Sequence, residues 1–97
     1  MAKEVRWSLR ADQERIDILD YWVNRNKSPT YSIKLANQFN EKIAKLAIHP
    51  DLGIATNQPY IKIKIVENYS VYYKIASDHI EIITIWDNRR NPKKLKL

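Results

Sequence analysis

The chain contains no cysteine, and this absence excludes a disulfide framework, a thiolate metal site and a thiol nucleophile. Glycine occurs only once, so a glycine-rich phosphate-binding loop cannot be built. No apolar run approaches the ~20 residues that a membrane-spanning helix requires, and the N-terminal residues do not resemble a signal peptide. Histidines and carboxylates do not cluster at metal-ligand spacing. We therefore expect a cytoplasmic protein that uses no metal, no cofactor and no membrane partner.

The length of the chain predicts the number of its domains, and its charge predicts the kinds of partner that it binds. Its 97 residues predict a single domain, 1–97, and a hydrophobic content of 44% is too high for intrinsic disorder. The net charge is +6, and segment 88–97 forms a basic C-terminal tail without an acidic residue. Its basic residues are Arg89, Arg90, Lys93, Lys94 and Lys96. Such a cluster attracts nucleic acid, the ribosome or an acidic protein segment; the alternative is a solvated, frayed tail that only aids solubility.

The first quarter of the chain predicts a strand followed by a helix. Val5, Trp7 and Leu9 alternate with polar residues, which indicates a short strand that ends at Leu9. We expect Asp12 to cap a helix that runs to about Asn26. The predicted core-facing stripe of this helix consists of Ile16, Leu19 and Val23, with Trp22 beside it.

A second helix is predicted between Thr30 and Ile48. Ser28 offers a capping hydroxyl and Pro29 suits the first helical position, while Pro50 ends the helix because proline removes a hydrogen-bond donor. Apolar residues at three- and four-residue spacing occupy one face: Leu35, Ala36, Phe39, Ile43, Leu46 and Ala47. The two helices form a hairpin, and each needs a sheet or a partner to cover its apolar stripe.

After a loop at 49–59, the apolar spacing changes from about 3.6 residues to two. Runs at 61–66, 69–75 and 80–86 predict a three-stranded antiparallel meander. The fold class is therefore α+β: the N-terminal strand joins the meander in one sheet, and the helices pack on its isoleucine-rich face. That face is predicted to hold Ile61, Ile63, Ile65, Tyr69, Val71, Tyr73, Ile75, Ile80, Ile82, Thr84 and Trp86. The opposite face, open to a partner, is predicted to carry Lys62, Lys64, Ser70, Tyr72 and Lys74.

Lys62 and Lys64 are the leading candidates for chemistry. Residues two apart on a strand project from one face, roughly 6–7 Å apart. Together with Tyr72 and Lys74 they would suit a phosphate backbone with a base stacked alongside; the alternative is an ordinary solvated sheet face. A lysine crowded by cations can act as a base and an arginine can hold phosphate bidentately, so metal-free RNA cleavage is chemically feasible.

Three segments match a known pattern. Residues 49–53 (HPDLG) resemble an Asn-Pro-x-x-Gly loop after a second helix, and residues 68–75 (NYSVYYKI) resemble a third-strand Tyr-Arg repeat. Residues 80–92 (IEIITIWDNRRNP) are similar to a last strand with its basic turn. By these segments the chain resembles the RelE/ParE superfamily of toxins from bacterial type II toxin–antitoxin systems, over nearly its whole length. The resemblance implies the RelE/ParE toxin fold and a cognate antitoxin that wraps the toxin and blocks it.

The nuclease branch of this superfamily implies roles for individual residues. Two alternate lysines on its second strand serve the chemistry, so Lys64 would be the base and Lys62 a phosphate contact. Arg90, or Arg89, matches the basic residue that stabilises the scissile phosphate. The remaining expected RNA or phosphate contacts are Tyr72, Lys74 and Lys93.

Three functions follow as hypotheses. The first is a metal-free, ribosome-dependent mRNA endonuclease that arrests translation. The alternative is a ParE-like, non-catalytic inhibitor of DNA gyrase, because Ser70 or Val71 stands where nucleases often have arginine and no tyrosine or histidine follows Arg90. The third is a degenerate toxin that retains only antitoxin binding and operon regulation.

Overall fold

The computed structural model describes residues 2–97, which form two helices packed against one side of a five-stranded sheet. The elements in chain order are β1 (Glu4–Trp7), α1 (Leu9–Asn26), α2 (Thr30–Ile48), β2 (Ile54–Ala55), β3 (Ile61–Val66), β4 (Tyr69–Ile75) and β5 (His79–Asp87). This is the expected α+β fold, with one strand more than predicted. Within residues 2–97, neither helix is long and apolar enough to cross a membrane.

The sheet has the strand order β1-β5-β4-β3-β2. The predicted meander β3-β4-β5 is antiparallel, and β1 joins it as a parallel neighbour of β5. A parallel pair needs a long crossover connection, which the helices supply on their way from β1 to the meander. The additional strand, β2, comprises only two residues of the predicted loop and pairs with β3 at the far edge of the sheet.

The start of α1 differs from the prediction. Ser8, not Asp12, is the N-cap: its Oγ accepts a hydrogen bond from the backbone N–H of Ala11 at 3.0 Å. Leu9 therefore opens the helix instead of ending the first strand, and its side chain is exposed to solvent. Serine caps a helix as well as aspartate does. The residue that caps α1 is therefore set by the point at which β1 ends.

The core-facing stripe predicted for α1 was also wrong at two positions. Ile16 and Val23 point to solvent, and Leu19 is the one member of the predicted stripe that packs against the core. The residues of α1 that contact the core are Ala11, Ile18, Leu19 and Trp22. Both sets of apolar residues fit a helical period, so the period alone did not identify the buried side.

The bounds and the buried face of α2 agree with the prediction. The predicted cap does not: Pro29 is the N-cap and has no side-chain cap, Thr30 is the first helical residue, and Ser28 Oγ, one residue before the cap, accepts from the N–H of Thr30 at 3.3 Å. The buried residues of α2 are Ser32, Leu35, Phe39, Ile43, Leu46 and Ala47; Ala36, predicted to be in the stripe, is half-buried.

The face assignment of β3 is the largest correction. Val66 lies opposite Tyr69 across a two-residue turn, so Lys64 pairs with Val71 and Lys62 with Tyr73. Cross-strand partners share a face, and Val71 and Tyr73 belong to the helix-covered core. Ile61, Ile63 and Ile65 therefore lie on the open face, and the prediction that they pack under the helices was wrong. A one-residue difference in register reverses every side chain of a strand.

A β-bulge changes the alternation of β5 in the same way. Tyr72 pairs with Thr84 and Tyr73 pairs with Ile82, which leaves Ile83 as the extra residue. Beyond the bulge, Ile85 joins the core cluster. Trp86, predicted to lie on the core face, instead lies opposite Ser70.

The loop before β3 is held by a buried tyrosine. The Tyr73 hydroxyl donates to the carbonyl oxygen of Pro50 at 2.6 Å and accepts from the N–H of Gly53 at 3.0 Å. A Cβ at Gly53 would lie 2.3 Å from the Tyr73 hydroxyl oxygen and 2.9 Å from the carbonyl oxygen of Ile63. The only glycine of the chain therefore serves close packing, since its φ of −75° is open to any residue.

Candidate functional site

The end of β5 brings a carboxylate and an arginine together. Arg89 donates to both carboxylate oxygens of Asp87, from Nε at 3.0 Å and from Nη2 at 2.7 Å. This pairing lowers the pKa of Asp87 and raises that of Arg89. The Arg89 guanidinium also lies 5.5 Å from the ring centroid of Trp22 on α1. Arg89 is thus held in place by an acid and by an aromatic ring.

Trp22 connects this pair to the sheet. Its indole Nε1 donates to the Tyr69 hydroxyl at 2.8 Å, and its ring meets Tyr31 of α2 edge-on with centroids 4.9 Å apart. Burial raises the pKa of the Tyr69 hydroxyl, an effect that the hydrogen bond from Trp22 opposes.

An open cleft of about 370 Å³ lies between α1 and the end of β5. Its lining combines apolar, acidic and basic side chains: Glu14, Asp17, Ile18, Tyr21, Tyr69, Ile85, Asp87, Arg89 and Arg90. Carboxylates on α1 face arginines after β5, so a ligand in this cleft would meet both signs of charge.

Glu14 fixes the α1 wall of the cleft to the bulged part of β5. Its Oε1 accepts from the Thr84 hydroxyl at 2.7 Å and from the N–H of Ile85 at 3.1 Å. Its Oε2 lies 3.6 Å from Nε of Arg10. The last pair between β1 and β5 is Trp7 with Ile82, so β5 has no β1 neighbour at Ile85, and there the carboxylate binds the backbone N–H.

Arg90 faces a different direction from Arg89. Its guanidinium lies over the ring of Trp86, 4.5 Å from the centroid, and within residues 2–97 it has no ion-pair partner within 4 Å. Ser70, opposite Trp86, donates from Oγ to Asn88 Oδ1 at 2.8 Å. Of the two arginines, Arg90 is the one whose side-chain donors make no hydrogen bond within residues 2–97, so its guanidinium is available to a partner.

The basic tail is folded against the molecule. Asn91 Oδ1 accepts from the N–H of Lys93 and caps a short 3-10 helix, Pro92–Lys94. Leu95 and Leu97 approach Tyr72 and Ile63 on the open face, where they line a second cleft of about 440 Å³ together with residues 55–58. Arg10 at the start of α1 donates to the carbonyl oxygen of Lys96. The tail is therefore packed on the protein, which argues against the alternative prediction of a solvated, frayed tail.

Lys62 and Lys64 do not share a surface with the other candidates. Their cross-strand partners place both lysines on the helix-covered face, near the β2 edge, where they are half-buried. Tyr72 lies on the open face, and Arg90 stacks there on Trp86. The prediction of one surface that joins the two lysines to Tyr72 and Lys74 was wrong, because the register across the turn is shifted by one residue.

The other predicted contacts are distributed as follows. Lys74 is exposed on the open face opposite Glu81, two residues along β4 from Tyr72. Lys93 is exposed in the tail, and Arg89 is occupied by Asp87. The structure therefore brings Tyr72 and the tail to the open side of the sheet, whereas Arg90 lies at the end of β5, where it borders the α1 cleft and lies over Trp86. The roles proposed for these residues, and those of Lys62 and Lys64 in catalysis, stay predictions.

The arrangement supports binding better than acid–base catalysis. A proton-transfer group must come within hydrogen-bond reach of the proton that it moves. Lys62 and Lys64 lie on β3, two strands away from β5 and the arginines that follow it, which is about 10 Å across the sheet. Within residues 2–97, no group of three or more histidines and carboxylates is positioned to hold a metal ion.

Sequence reasoning missed the residues that build the cleft. The sequence placed Trp22 beside the core-facing stripe of the first helix and Tyr69 on the core face, and it singled out neither Glu14 nor Asp87. The only available signal was the acid two residues before an arginine at Asp87, at the end of a strand. The hydrogen-bond partners that join Trp22 to Tyr69 and Glu14 to β5 are 47 to 71 positions away along the chain, beyond the range of local patterns.

Comparison with known proteins identifies a related family. Residues 5–92 match the family model described as the ParE toxin of type II toxin–antitoxin systems, parDE. No match was found among curated proteins.

The fold also matches solved structures. One is the chromosomal ParDE toxin–antitoxin system from P. aeruginosa, with a TM-score of 0.73 and 18% sequence identity. The alignment covers 87% of this chain and 94% of that chain. At this identity the match demonstrates a shared fold, and the family model supplies the stronger evidence of kinship.

Proposed function

Since the chain belongs to the ParE toxin family of type II toxin–antitoxin systems, we propose that it arrests growth as a non-catalytic inhibitor of DNA gyrase and that a cognate antitoxin holds it inactive. This replaces the ribosome-dependent endonuclease as the leading hypothesis. Inhibition by binding needs a complementary surface but no proton-transfer groups, and it is consistent with a fold whose cationic side chains point in several directions.

The observation that carries the proposal is the separation of Lys62 and Lys64 from Arg90 and Tyr72. An endonuclease of the expected kind needs a base, a phosphate-binding cation and a proton donor around one scissile phosphate. Here the two lysines lie on the helix-covered face of β3, whereas Tyr72 lies on the open face and Arg90 follows β5, two strands away, over the ring of Trp86. Arg89, the other candidate for the phosphate, already binds both oxygens of Asp87.

The test compares DNA and protein synthesis in the first minutes after the chain is induced without its antitoxin. We expect incorporation of labelled thymidine to fall first, and the purified chain to block supercoiling by purified gyrase. The double variant Lys62→Ala/Lys64→Ala should remain toxic and should still block supercoiling, because those side chains lie outside the proposed mechanism. A circular dichroism melt of the variant verifies that it is folded.

Three results would count against the proposal. A prompt fall in protein synthesis that the double variant abolishes would restore the endonuclease with Lys62 and Lys64 as its catalytic residues. Growth that continues after induction of the folded chain would indicate a degenerate toxin. Supercoiling that proceeds normally with excess chain would exclude gyrase as the direct target.

A further inference from the structure

The basic tail at 88–97 is docked so that its apolar and its charged side chains point in different directions. The apolar residues line the cleft over the open face, beside Tyr72: Pro92, Leu95 and Leu97. The lysines of the tail are exposed: Lys93, Lys94 and Lys96. Successive side chains of an extended segment alternate between two sides. The leucines that hold the tail on the sheet therefore direct the neighbouring lysines to solvent.

The backbone of the tail is fixed at several points. Asn91 Oδ1 accepts from the N–H of Lys93 at 3.0 Å, and the carbonyl oxygen of Asn91 accepts from the N–H of Lys94 at 3.1 Å. Arg10 donates to the carbonyl oxygen of Lys96. A ligand that binds the lysines therefore has to order only their side chains, whereas binding to a frayed tail would also cost backbone entropy.

Most of the net charge of the chain lies in this tail. Segment 88–97 contains five basic residues and no acid, so it supplies +5 of the net charge of +6. Two of the five are engaged elsewhere: Arg89 binds Asp87, and Arg90 lies over Trp86 at the border of the α1 cleft. Within residues 2–97, the other three have no ion-pair partner within 4 Å: Lys93, Lys94 and Lys96.

The acids around the tail do not cancel this charge. Glu14 already accepts from the Thr84 hydroxyl, and Glu81 lies opposite Lys74 on the neighbouring strand. Glu67 lies in the β3–β4 turn, which is hydrogen-bonded to the first residue of the tail and not to its lysines. The surface around the three lysines therefore stays positive.

The aromatic rings next to the tail are covered. Tyr72 is half-buried and lines the cleft below the tail, and Trp86 is 5% exposed with the Arg90 guanidinium over its ring. Proteins that bind single-stranded nucleic acid stack its bases on aromatic rings. Because the docked tail offers charge and covers these rings, it suits a duplex, whose bases are already stacked on one another.

We propose that the docked tail binds the phosphate backbone of duplex DNA, with Lys93, Lys94 and Lys96 as the phosphate contacts. The duplex carries one negative charge per about 1.7 Å of its axis, roughly twice the density of an extended acidic peptide. Contacts to phosphates alone are independent of base sequence. The inference does not depend on gyrase being the target, because DNA itself is the ligand.

The test measures the fluorescence anisotropy of a labelled DNA duplex of about 20 base pairs on addition of the full-length chain. We expect a Kd of about 1 to 100 μM near 0.15 M salt, whatever the base sequence. The single strand of the same length and a polyglutamate peptide should bind at least about fivefold more weakly, because their charge density is lower. Three phosphate contacts predict a slope of log K against log salt of about −2.7, equivalent to about 40-fold between 0.05 and 0.2 M salt.

Matched pairs of lysines distinguish the tail from the net charge. Lys93→Gln/Lys94→Gln should weaken duplex binding about tenfold or more and reduce the slope to about −0.9, because one phosphate contact remains. Lys34→Gln/Lys45→Gln removes the same charge from exposed positions of α2, on the other side of the sheet. This control should keep the slope and an affinity within about twofold of wild type. Circular dichroism melts verify that both variants are folded.

A third variant tests whether the tail has to be docked. Leu95→Ser/Leu97→Ser keeps every cation but removes the apolar side chains that line the cleft. We expect duplex binding to weaken about threefold or more, because the backbone that carries the lysines then has to be ordered on binding. Binding of the single strand relative to the duplex should rise, because Tyr72 becomes accessible for stacking.

Four results would overturn the proposal. Absence of duplex binding at about 1 mM chain would leave the tail a role in solubility only. Equal weakening by the two lysine pairs would mean that net charge alone matters. Tighter binding to the single strand, or to an RNA duplex, would assign the tail to RNA or to unpaired bases. Unchanged duplex binding by Leu95→Ser/Leu97→Ser would show that docking is irrelevant. Gyrase supercoiling is measured separately, so that loss of either activity is distinguished from loss of the other.

Discussion

Two buried tyrosines on β4 hold other parts of the chain in different ways. Tyr69 and Tyr73 lie four residues apart on the helix-covered face, and burial raises the pKa of both hydroxyls. The Tyr73 hydroxyl binds two backbone groups of the loop before β3 and has Gly53 packed against it. The Tyr69 hydroxyl accepts one hydrogen bond, from Trp22, at the wall of an open cleft.

The difference lies in what would replace each hydroxyl. At Tyr73, loss of the hydroxyl leaves a backbone donor and a backbone acceptor without a partner in a closely packed place. Tyr69, by contrast, lines the open cleft, so we expect water to reach the indole Nε1 of Trp22 when the hydroxyl is removed. Substitutions around the Tyr73 hydroxyl should therefore destabilise the fold strongly. At the Tyr69 end of β4 the hydrogen bond can be replaced by one to water or to a bound partner, as a binding surface requires.

The largest loss of stability should come from a side chain that fills the space beside Tyr73. Gly53→Ala puts a methyl group 2.3 Å from the hydroxyl oxygen, and such overpacking should lower the free energy of unfolding by about 3 kcal/mol. Urea denaturation measures the loss. Asn57→Ala, an exposed position in the same loop, is the control and should change it by less than about 0.5 kcal/mol. An equal loss at both positions would refute the close packing.

Removing the Tyr73 hydroxyl should have the next largest effect. Tyr73→Phe leaves the carbonyl of Pro50 and the N–H of Gly53 unpaired, at a cost of about 2 kcal/mol. The double variant Gly53→Ala/Tyr73→Phe should lose less than the sum of the single variants, because the oxygen that clashes is gone. Strict additivity in urea denaturation would contradict the contact.

Tyr69→Phe should cost less, about 1 kcal/mol, because it removes one hydrogen bond to an indole that lies beside the cleft. The comparison with Tyr73→Phe is direct, since both changes delete one buried phenol oxygen from the same face of the same strand. A loss at Tyr69 as large as that at Tyr73 would show that water does not replace the hydroxyl.

The element order could be predicted because it depends on local periods. The apolar spacing of α2 and the alternation in the three meander strands both extend over several residues. The faces of β3 could not be derived in this way. They depend on whether Val66 or Ile65 lies opposite Tyr69, which is decided by the length of the turn. The bulge at Ile83 left no compositional signal either.

The candidate site was predictable only in part. The charge of the tail and the resemblance of residues 80–92 predicted that Arg89 and Arg90 are functional residues. The two arginines proved to differ because Asp87 and Trp22 occupy Arg89, and Trp22 is 67 residues away. Ile16 and Val23 on α1 were predicted to be buried because they fit a helical period as well as the true core residues do, yet both are exposed.

The smallest expected effect concerns the acid next to Tyr69 in the cleft. Asp87→Asn removes the charge that binds Arg89, and because the pair is partly exposed the loss should be about 0.5 to 1 kcal/mol at pH 7. The folded pKa of Asp87 is lowered, so the stabilisation is present above the unfolded pKa, near 4, and disappears as the pH falls through the folded pKa. Wild type and Asp87→Asn should therefore differ at pH 7 and converge toward pH 2 in thermal melts. A difference in melting temperature that persists unchanged at pH 2 would mean that Asp87 acts through hydrogen-bond geometry and not through its charge. In that case Arg89 would stay in place even when the carboxyl group is neutral.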